Sequence, residues 1–194
     1  SFTEKARIEQ ITHLKKNYYL LKMHSPEIAL KGKPGQFCNI KITDTVYPLL
    51  RRPFSICNIE GEYLYFMFNT HGEGTKMLAS ANKGDVLDIL GPLGNGFRIP
   101  DNLEHAVIVA GGIGAAPFAY LIESLPETAD ALCFVGGRTA DDLLLYGMKN
   151  IFLATDDGSE GIKGNVIDLL GKNLHKLMKP GTVLFACGPN AMLS

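Results

Sequence analysis

Two short segments of this sequence carry side chains and spacings suited to holding phosphates. The first is Arg51-Arg52-Pro53-Phe54-Ser55. A guanidinium on a backbone stiffened by proline can form paired hydrogen bonds to a pyrophosphate. Phe54 can cover a flavin ring, and the Ser55 hydroxyl can reach a ring nitrogen. Taken alone, a surface basic pair ahead of a core strand accounts for the segment better. The second is Val107-Ile108-Val109-Ala110-Gly111-Gly112-Ile113-Gly114-Ala115-Ala116-Pro117. An apolar run enters a glycine turn that opens a helix. Such a turn lets backbone approach a pyrophosphate, and the helix start offers unpaired N–H groups. The pattern departs from G-x-G-x-x-G because Pro117 takes the last place. A tight strand-to-helix connection without ligand remains the alternative.

A third segment, Asn69-Thr70-His71-Gly72-Glu73-Gly74-Thr75, places glycines and a hydroxyl at the start of a short helix. It suits a phosphate, or simple capping. His71 reads as a solvated loop residue. The acids Asp156 and Asp157 precede Gly158 and Ser159; without further spaced ligands they read as a turn, and no metal site is expected. Cys38, Cys57, Cys133 and Cys187 form no CxxC pair. The first three read as buried small apolar residues in a reducing compartment.

These segments need elements to position them. In the first half, strand-like runs at 6–14, 18–24, 36–42, 54–59, 63–70 and 86–90 are separated by turn residues, with one helix at 75–81. Short strands so spaced predict an antiparallel barrel or sandwich. From residue 103, apolar runs at 106–110, 131–135, 151–154 and 183–186 alternate with helical stretches at 115–125, 140–146 and 166–170. That alternation predicts a parallel, doubly wound sheet. The expected fold is therefore an N-terminal antiparallel β-barrel, residues 1–98, followed by a Rossmann-like α/β domain, residues 103–194, joined by the glycine- and proline-rich linker 91–101.

Bulk properties narrow the partners. The 194 residues are 46% hydrophobic and 20% charged, with formal net charge -1. No basic stripe supports nucleic-acid binding. The apolar stretch 106–122 is broken by glycines and Pro117, which argues against a membrane span. No signal pattern opens the chain, so a cytoplasmic location is expected. Ser1 in place of Met points to a processed or engineered start. The chain stops as a helix begins after Pro189, so the natural polypeptide is expected to continue.

In order along the chain, R-x-[aromatic]-S, G-x-G-T, a Gly-Pro linker, GGxGxxP and C-G-P-x-x-M resemble the ferredoxin-NADP reductase superfamily. Within it the sequence most resembles the electron-transfer subunits of bacterial type B dihydroorotate dehydrogenase, through RRPFSI, GEGTKML, GPLGNGF, AGGIGAAP, DDGSEGIKGNVID and CGPNAML. The resemblance implies an FAD-dependent NADH oxidoreductase module that passes electrons to a catalytic dehydrogenase subunit in pyrimidine biosynthesis. It implies FAD contacts from Arg52, Pro53, Phe54, Ser55, Met67, Phe68, Asn69, Gly72, Gly74 and Thr75. It implies an NAD(H) turn from Gly111, Gly112, Gly114 and Pro117, with Cys187, Gly188 and Pro189 beside the nicotinamide. Ser55 and Cys187 would then lie nearest the reacting atoms. Arg138, after the second parallel strand, could meet a 2′-phosphate and on physical grounds favours NADP, whereas the resemblance implies NAD, which is the expectation adopted. The resemblance also implies a [2Fe–2S] centre on four later cysteines. No cysteine follows Cys187, so that centre is expected only if the chain continues past Ser194. The alternatives are an electron-transfer flavoprotein subunit of a hydrogenase- or sulfide-linked complex, a flavin-binding regulatory module without turnover, or a barrel unrelated to flavin.

Overall fold

The computed structural model describes residues 1–43, 50–189 and 192. Of the CGPNAML segment, Asn190, Ala191 and Leu193 lie outside the described residues. The chain falls into two units, Ser1–Phe97 and Arg98–Ser194.

The first unit is a closed six-stranded barrel in the order β1-β2-β5-β4-β3-β6, antiparallel at every pairing. Its strands are β1 (Phe2–Lys15), β2 (Tyr18–His24), β3 (Phe37–Lys41), β4 (Arg52–Glu60), β5 (Tyr63–Asn69) and β6 (Val86–Leu93). Alternation places Leu21, Phe66 and Ile56 opposite one another, all fully buried. Closure leaves no exposed strand edge.

Helix α1 (Pro26–Lys31) was not foreseen from the sequence. Its start carries a recognisable signal: Ser25, then proline in the first turn, then Glu27. Six residues do not hold a helix unaided. Glu4 of β1 supplies the support. Its carboxylate accepts from Ser25 Oγ at 2.6 Å, Ile28 N at 3.0 Å and Glu27 N at 3.2 Å. Helix α2 (Glu73–Ala79) starts two residues earlier than expected and follows β5 after a three-residue loop.

The second unit is a five-stranded parallel sheet, order β10-β9-β8-β7-β11. Its strands are β7 (His105–Gly111), β8 (Asp130–Gly137), β9 (Ile151–Thr155), β10 (Ile162–Lys163) and β11 (Thr182–Cys187). The central run, Ala106 to Gly111, is buried throughout, as a strand covered on both faces must be. Helix α4 (Val166–Leu177) packs Val166, Leu169, Leu170 and Leu177 against Val107, Val109 and Phe134. Asn165 caps it by accepting from Asp168 N at 2.8 Å. α4 runs seven residues past the expected end, because Gly171 interrupts the apolar period without breaking the helix.

Two expected helices are shorter than predicted. The stretch 115–125 forms instead a 3₁₀ turn, Gly112–Ala115, followed by α3 (Phe118–Glu123). Pro117 has no amide hydrogen and sits at the N-cap of α3, so the helix begins after it. The stretch 140–146 yields only the 3₁₀ turn Ala140–Asp142, after which Leu143 turns extended and is buried with Leu144. Burial of consecutive leucines in an extended segment overrides their helical preference. Among the described residues, no helix is long and apolar enough to cross a membrane.

Candidate functional site

In the barrel, antiparallel pairing of β4 with β5 sets Ile56 opposite Phe66. Past that pair, the Phe54 ring of β4 lies 5.9 Å from the Phe68 ring of β5. The start of β4 and the end of β5 therefore share one end of the barrel, and α2 follows directly from β5. Two of the segments expected to hold FAD, the start of β4 and the end of β5, thus lie together, and the third begins three residues after β5.

The two arginines have separate fates. Arg51 donates to the Asp88 carboxylate at 2.5 Å and to the Asp88 carbonyl at 2.8 Å, and Lys5 lies 3.3 Å from the same carboxylate. Burial pushes the Asp88 carboxyl up, but hydrogen bonds and charge from Arg51 and Lys5 outweigh it and hold it below the usual carboxylate range. Arg51 is thus part of the barrel's framework. Arg52 donates to the Leu50 carbonyl at 2.5 Å. A carbonyl does not neutralise a guanidinium, so Arg52 keeps its charge for an anion.

Phe54 and Phe68 are core rings here. Phe54 packs edge-on to Phe68 at 5.9 Å and lies 6.5 Å from Phe66, and both Phe54 and Phe68 are buried. Tyr19 of β2 stacks on Phe68 at 5.5 Å. Their contribution is to fix the end of the barrel. By alternation, Ser55, Met67 and Asn69 project from the opposite side of the strands from Phe54, Phe66 and Phe68. Thr75 shapes the loop ahead of α2. Its Oγ1 accepts from His71 N at 2.9 Å and Gly72 N at 3.2 Å, and donates to the Gly72 carbonyl at 3.0 Å. A Cβ at Gly72 would meet nothing within 4 Å, so open space lies over the start of α2. A helix start facing that open space suits a phosphate.

In the second unit, the glycine turn, Arg138 and the Cys187-Gly188-Pro189 segment all lie at the carboxyl ends of the parallel strands, where open α/β sheets bind ligands. β7 and β11 are neighbours, with Ala110 opposite Cys187. Gly112 has φ 52°, a left-handed conformation suited to glycine. A Cβ at Gly114 would lie 2.3 Å from the Cys187 carbonyl oxygen. Gly114 is therefore required by contact between two backbones of this chain. The Cys187 thiol is half-buried, and burial pushes it above the usual thiol range. Cys38 is pushed up to about 12 by burial, with a further contribution from Glu4.

Arg138 Nε donates to the buried Asp142 carboxylate at 3.0 Å. The loop after β9 lies alongside: Asp156 N donates to the Gly137 carbonyl at 3.1 Å, and Asp157 N to the Arg138 carbonyl at 3.2 Å. Ser159 Oγ accepts from Ala140 N at 2.8 Å and donates to Asp157 at 2.6 Å. That hydrogen bond from Ser159 lowers the Asp157 carboxyl. The acid pair is a turn that brackets the Arg138 loop. Among the described residues, no group of three or more His, Cys, Asp or Glu could hold a metal ion. Met192, part of the C-G-P-x-x-M motif but given no role by the sequence, has its side chain against Gly111 and Gly188.

No protein-family model matches the chain. Curated relatives do. It is 36% identical over 190 residues to a Bacillus cereus protein named dihydroorotate dehydrogenase B (NAD(+)), electron transfer subunit, covering 92% of this chain and 71% of the relative. A Bacillus anthracis protein of the same name matches with the same identity and coverage. The chain belongs to this electron transfer subunit family. Solved structures agree on the fold. An NADH-dependent reduced ferredoxin-NADP oxidoreductase superposes with TM-score 0.83 and 26% identity, over 96% of this chain and 68% of that one. The cytochrome b5 reductase domain of Ulva prolifera nitrate reductase gives 0.77 at 19%, over 98% and 88%.

Proposed function

We propose that this chain is an FAD-dependent NADH oxidoreductase module, the electron transfer subunit of a dihydroorotate dehydrogenase. In this reading the barrel unit holds FAD and the parallel-sheet unit takes NADH. The observation that carries it is family membership at 36% identity across 92% of the chain. The neighbouring β4 start and β5 end, with α2 three residues further along the chain, support this reading.

Arg52 and the first N–H groups of α2 bind the FAD pyrophosphate, and Ser55 and Asn69 offer hydrogen bonds to the ring system; Met67 is as buried as Phe68 and serves packing. FAD, when bound, supplies a carrier that accepts two electrons together and releases them singly. The glycine turn holds the dinucleotide phosphates with Gly111, Gly112 and Gly114, while Pro117 fixes where α3 begins. Cys187, Gly188 and Pro189 border the nicotinamide. The Cys187 thiol stays protonated at neutral pH, so it orients and packs and does not act as a base. Arg138, paired with Asp142, has its charge compensated, which supports NADH over NADPH. A cytoplasmic location and assembly with a catalytic dehydrogenase subunit belong to the same proposal. A [2Fe–2S] centre would need cysteines beyond those of this sequence.

The purified protein is expected to carry FAD absorbance and to reduce an artificial electron acceptor with NADH. A colourless protein that cannot be loaded with FAD overturns the reading. So does a flavoprotein whose dye reduction does not depend on NADH.

A further inference from the structure

The carboxyl ends of β7 and β11 hold two glycines whose missing side chains share one occupant. A Cβ built on Gly111 would lie 2.7 Å from Met192 Sδ and 3.1 Å from Pro189 Cδ. One built on Gly188 would lie 2.4 Å from Met192 Cε, 2.9 Å from Met192 Sδ and 3.3 Å from Gly111 N. Gly111 and Gly188 thus form a single slot, and the Met192 thioether fills it. Met192 is held there from two sides. Its amide donates to the Pro189 carbonyl at 2.8 Å. Its side chain is partly buried against the apolar cluster of Val107, Val109, Phe134 and α4.

We propose that Met192 is a positioning residue for the dinucleotide: its thioether is a wedge that sets the spacing between the glycine turn and the Cys187-Gly188-Pro189 loop. This rests on the reading of that sheet edge as the NADH site. The β7–β11 ladder holds the strands themselves together as far as the Ala110–Cys187 pair. Beyond it, Gly114 meets the Cys187 carbonyl, a contact that limits how close the turn and the loop come but not how far apart they drift. Met192, tied to the core, holds them at one separation. An unbranched, polarisable side chain suits a narrow slot between backbones. Leucine has similar volume, whereas alanine and valine retract from the slot.

The test uses the full FAD-loaded protein and the variants Met192→Ala, Met192→Val, Met192→Leu, Gly111→Ala and the double variant Gly111→Ala/Met192→Ala. The readouts are equilibrium NAD+ affinity, KM and kcat for NADH with a dye acceptor, FAD stoichiometry and Tm. Misplacement of a substrate by about 1 Å can cost up to about a hundredfold. Met192→Ala and Met192→Val are expected to raise KM and weaken NAD+ by roughly tenfold. FAD stoichiometry is expected to hold, and Met192→Leu to stay near wild type. Gly111→Ala is expected to impair NAD+ binding alone and to recover in part with Met192→Ala, because the added methyl takes the vacated space. Unchanged NAD+ affinity and KM in both Met192→Ala and Met192→Val overturns the proposal. A double variant no better than Gly111→Ala also overturns it, as does a rise in KM that only follows loss of FAD or Tm. If Met192→Ala does not fold, Met192→Val decides. Wild-type protein that fails to bind NAD+ rejects the NADH reading itself, and the wedge with it.

Discussion

Arg51 and Arg52 are adjacent and chemically identical, yet their surroundings give them different roles. Asp88 pairs with Arg51 in a site where the two side chains are 23% and 28% exposed. Arg51→Ala is therefore expected to cost about 1.5 kcal/mol, the low end for hydrogen bonds to charged groups, with FAD stoichiometry retained. The folded Asp88 carboxyl sits below its unfolded value. Its contribution is then fully present above about pH 4 and is lost as pH falls through the folded value. Thermal melts of wild type and Arg51→Ala should differ most at neutral pH and less in acid, where only the bonds from Arg51 to the Asp88 and Asn39 carbonyls remain. A difference that persists unchanged in acid would assign Arg51 another role. Arg52→Ala is expected to keep its stability within about 0.5 kcal/mol of wild type while losing FAD on dilution. Equal FAD retention in both variants would remove Arg52 from the site. Cys187 makes a third test: with its thiol raised, Cys187→Ser should leave the pH profile of NADH-dependent dye reduction flat between about pH 6 and 8. A step in the wild type that vanishes in Cys187→Ser would show a thiolate at work.

Among the elements, two glycines separate packing from binding. Gly114→Ala would drive a methyl into the Cys187 carbonyl, and backbone cannot swing aside as a flexible side chain can. A loss of about 1–3 kcal/mol is expected, read as a lower Tm with or without ligand. Gly72→Ala meets open space and has an ordinary φ of -150°. It should leave Tm nearly unchanged while weakening FAD. The reverse pattern would mean that Gly72 is structural and Gly114 is the residue that admits a ligand. The sequence made some of these elements legible and hid others. The barrel strands showed as short β-rich runs between turn residues, and the parallel strands as buried apolar runs. α1 was invisible to periodicity because its stability comes from Glu4, some twenty residues away. The 140–146 stretch looked helical because its leucines prefer helix, and burial in an extended segment overrode that preference. Arg51 and Arg52 could not be told apart without Asp88, which lies on another strand. Phe54 and Phe68 read as ring-facing aromatics until the barrel register turned them inward.

At the scale of the whole molecule, no single segment identifies the chain. The Arg52–Ser55 motif alone reads as a surface pair, and the glycine turn alone as a tight connection. Their order, with a barrel first and a parallel sheet second, was legible from the sequence, and the family relationship bears it out. What sequence could not supply was which contacts are internal. Gly111, Gly114 and Gly188 are glycines for reasons that include this chain's own backbone and Met192, and no spacing rule distinguishes that from room left for a phosphate. The central claim is that one chain takes electrons from NADH onto FAD. Its most direct test is anaerobic mixing of the FAD-loaded protein with NADH, followed through the visible flavin absorption. The account predicts rapid bleaching with NADH and much slower bleaching with NADPH at equal concentration. FAD absorption that stays unchanged with NADH would contradict it.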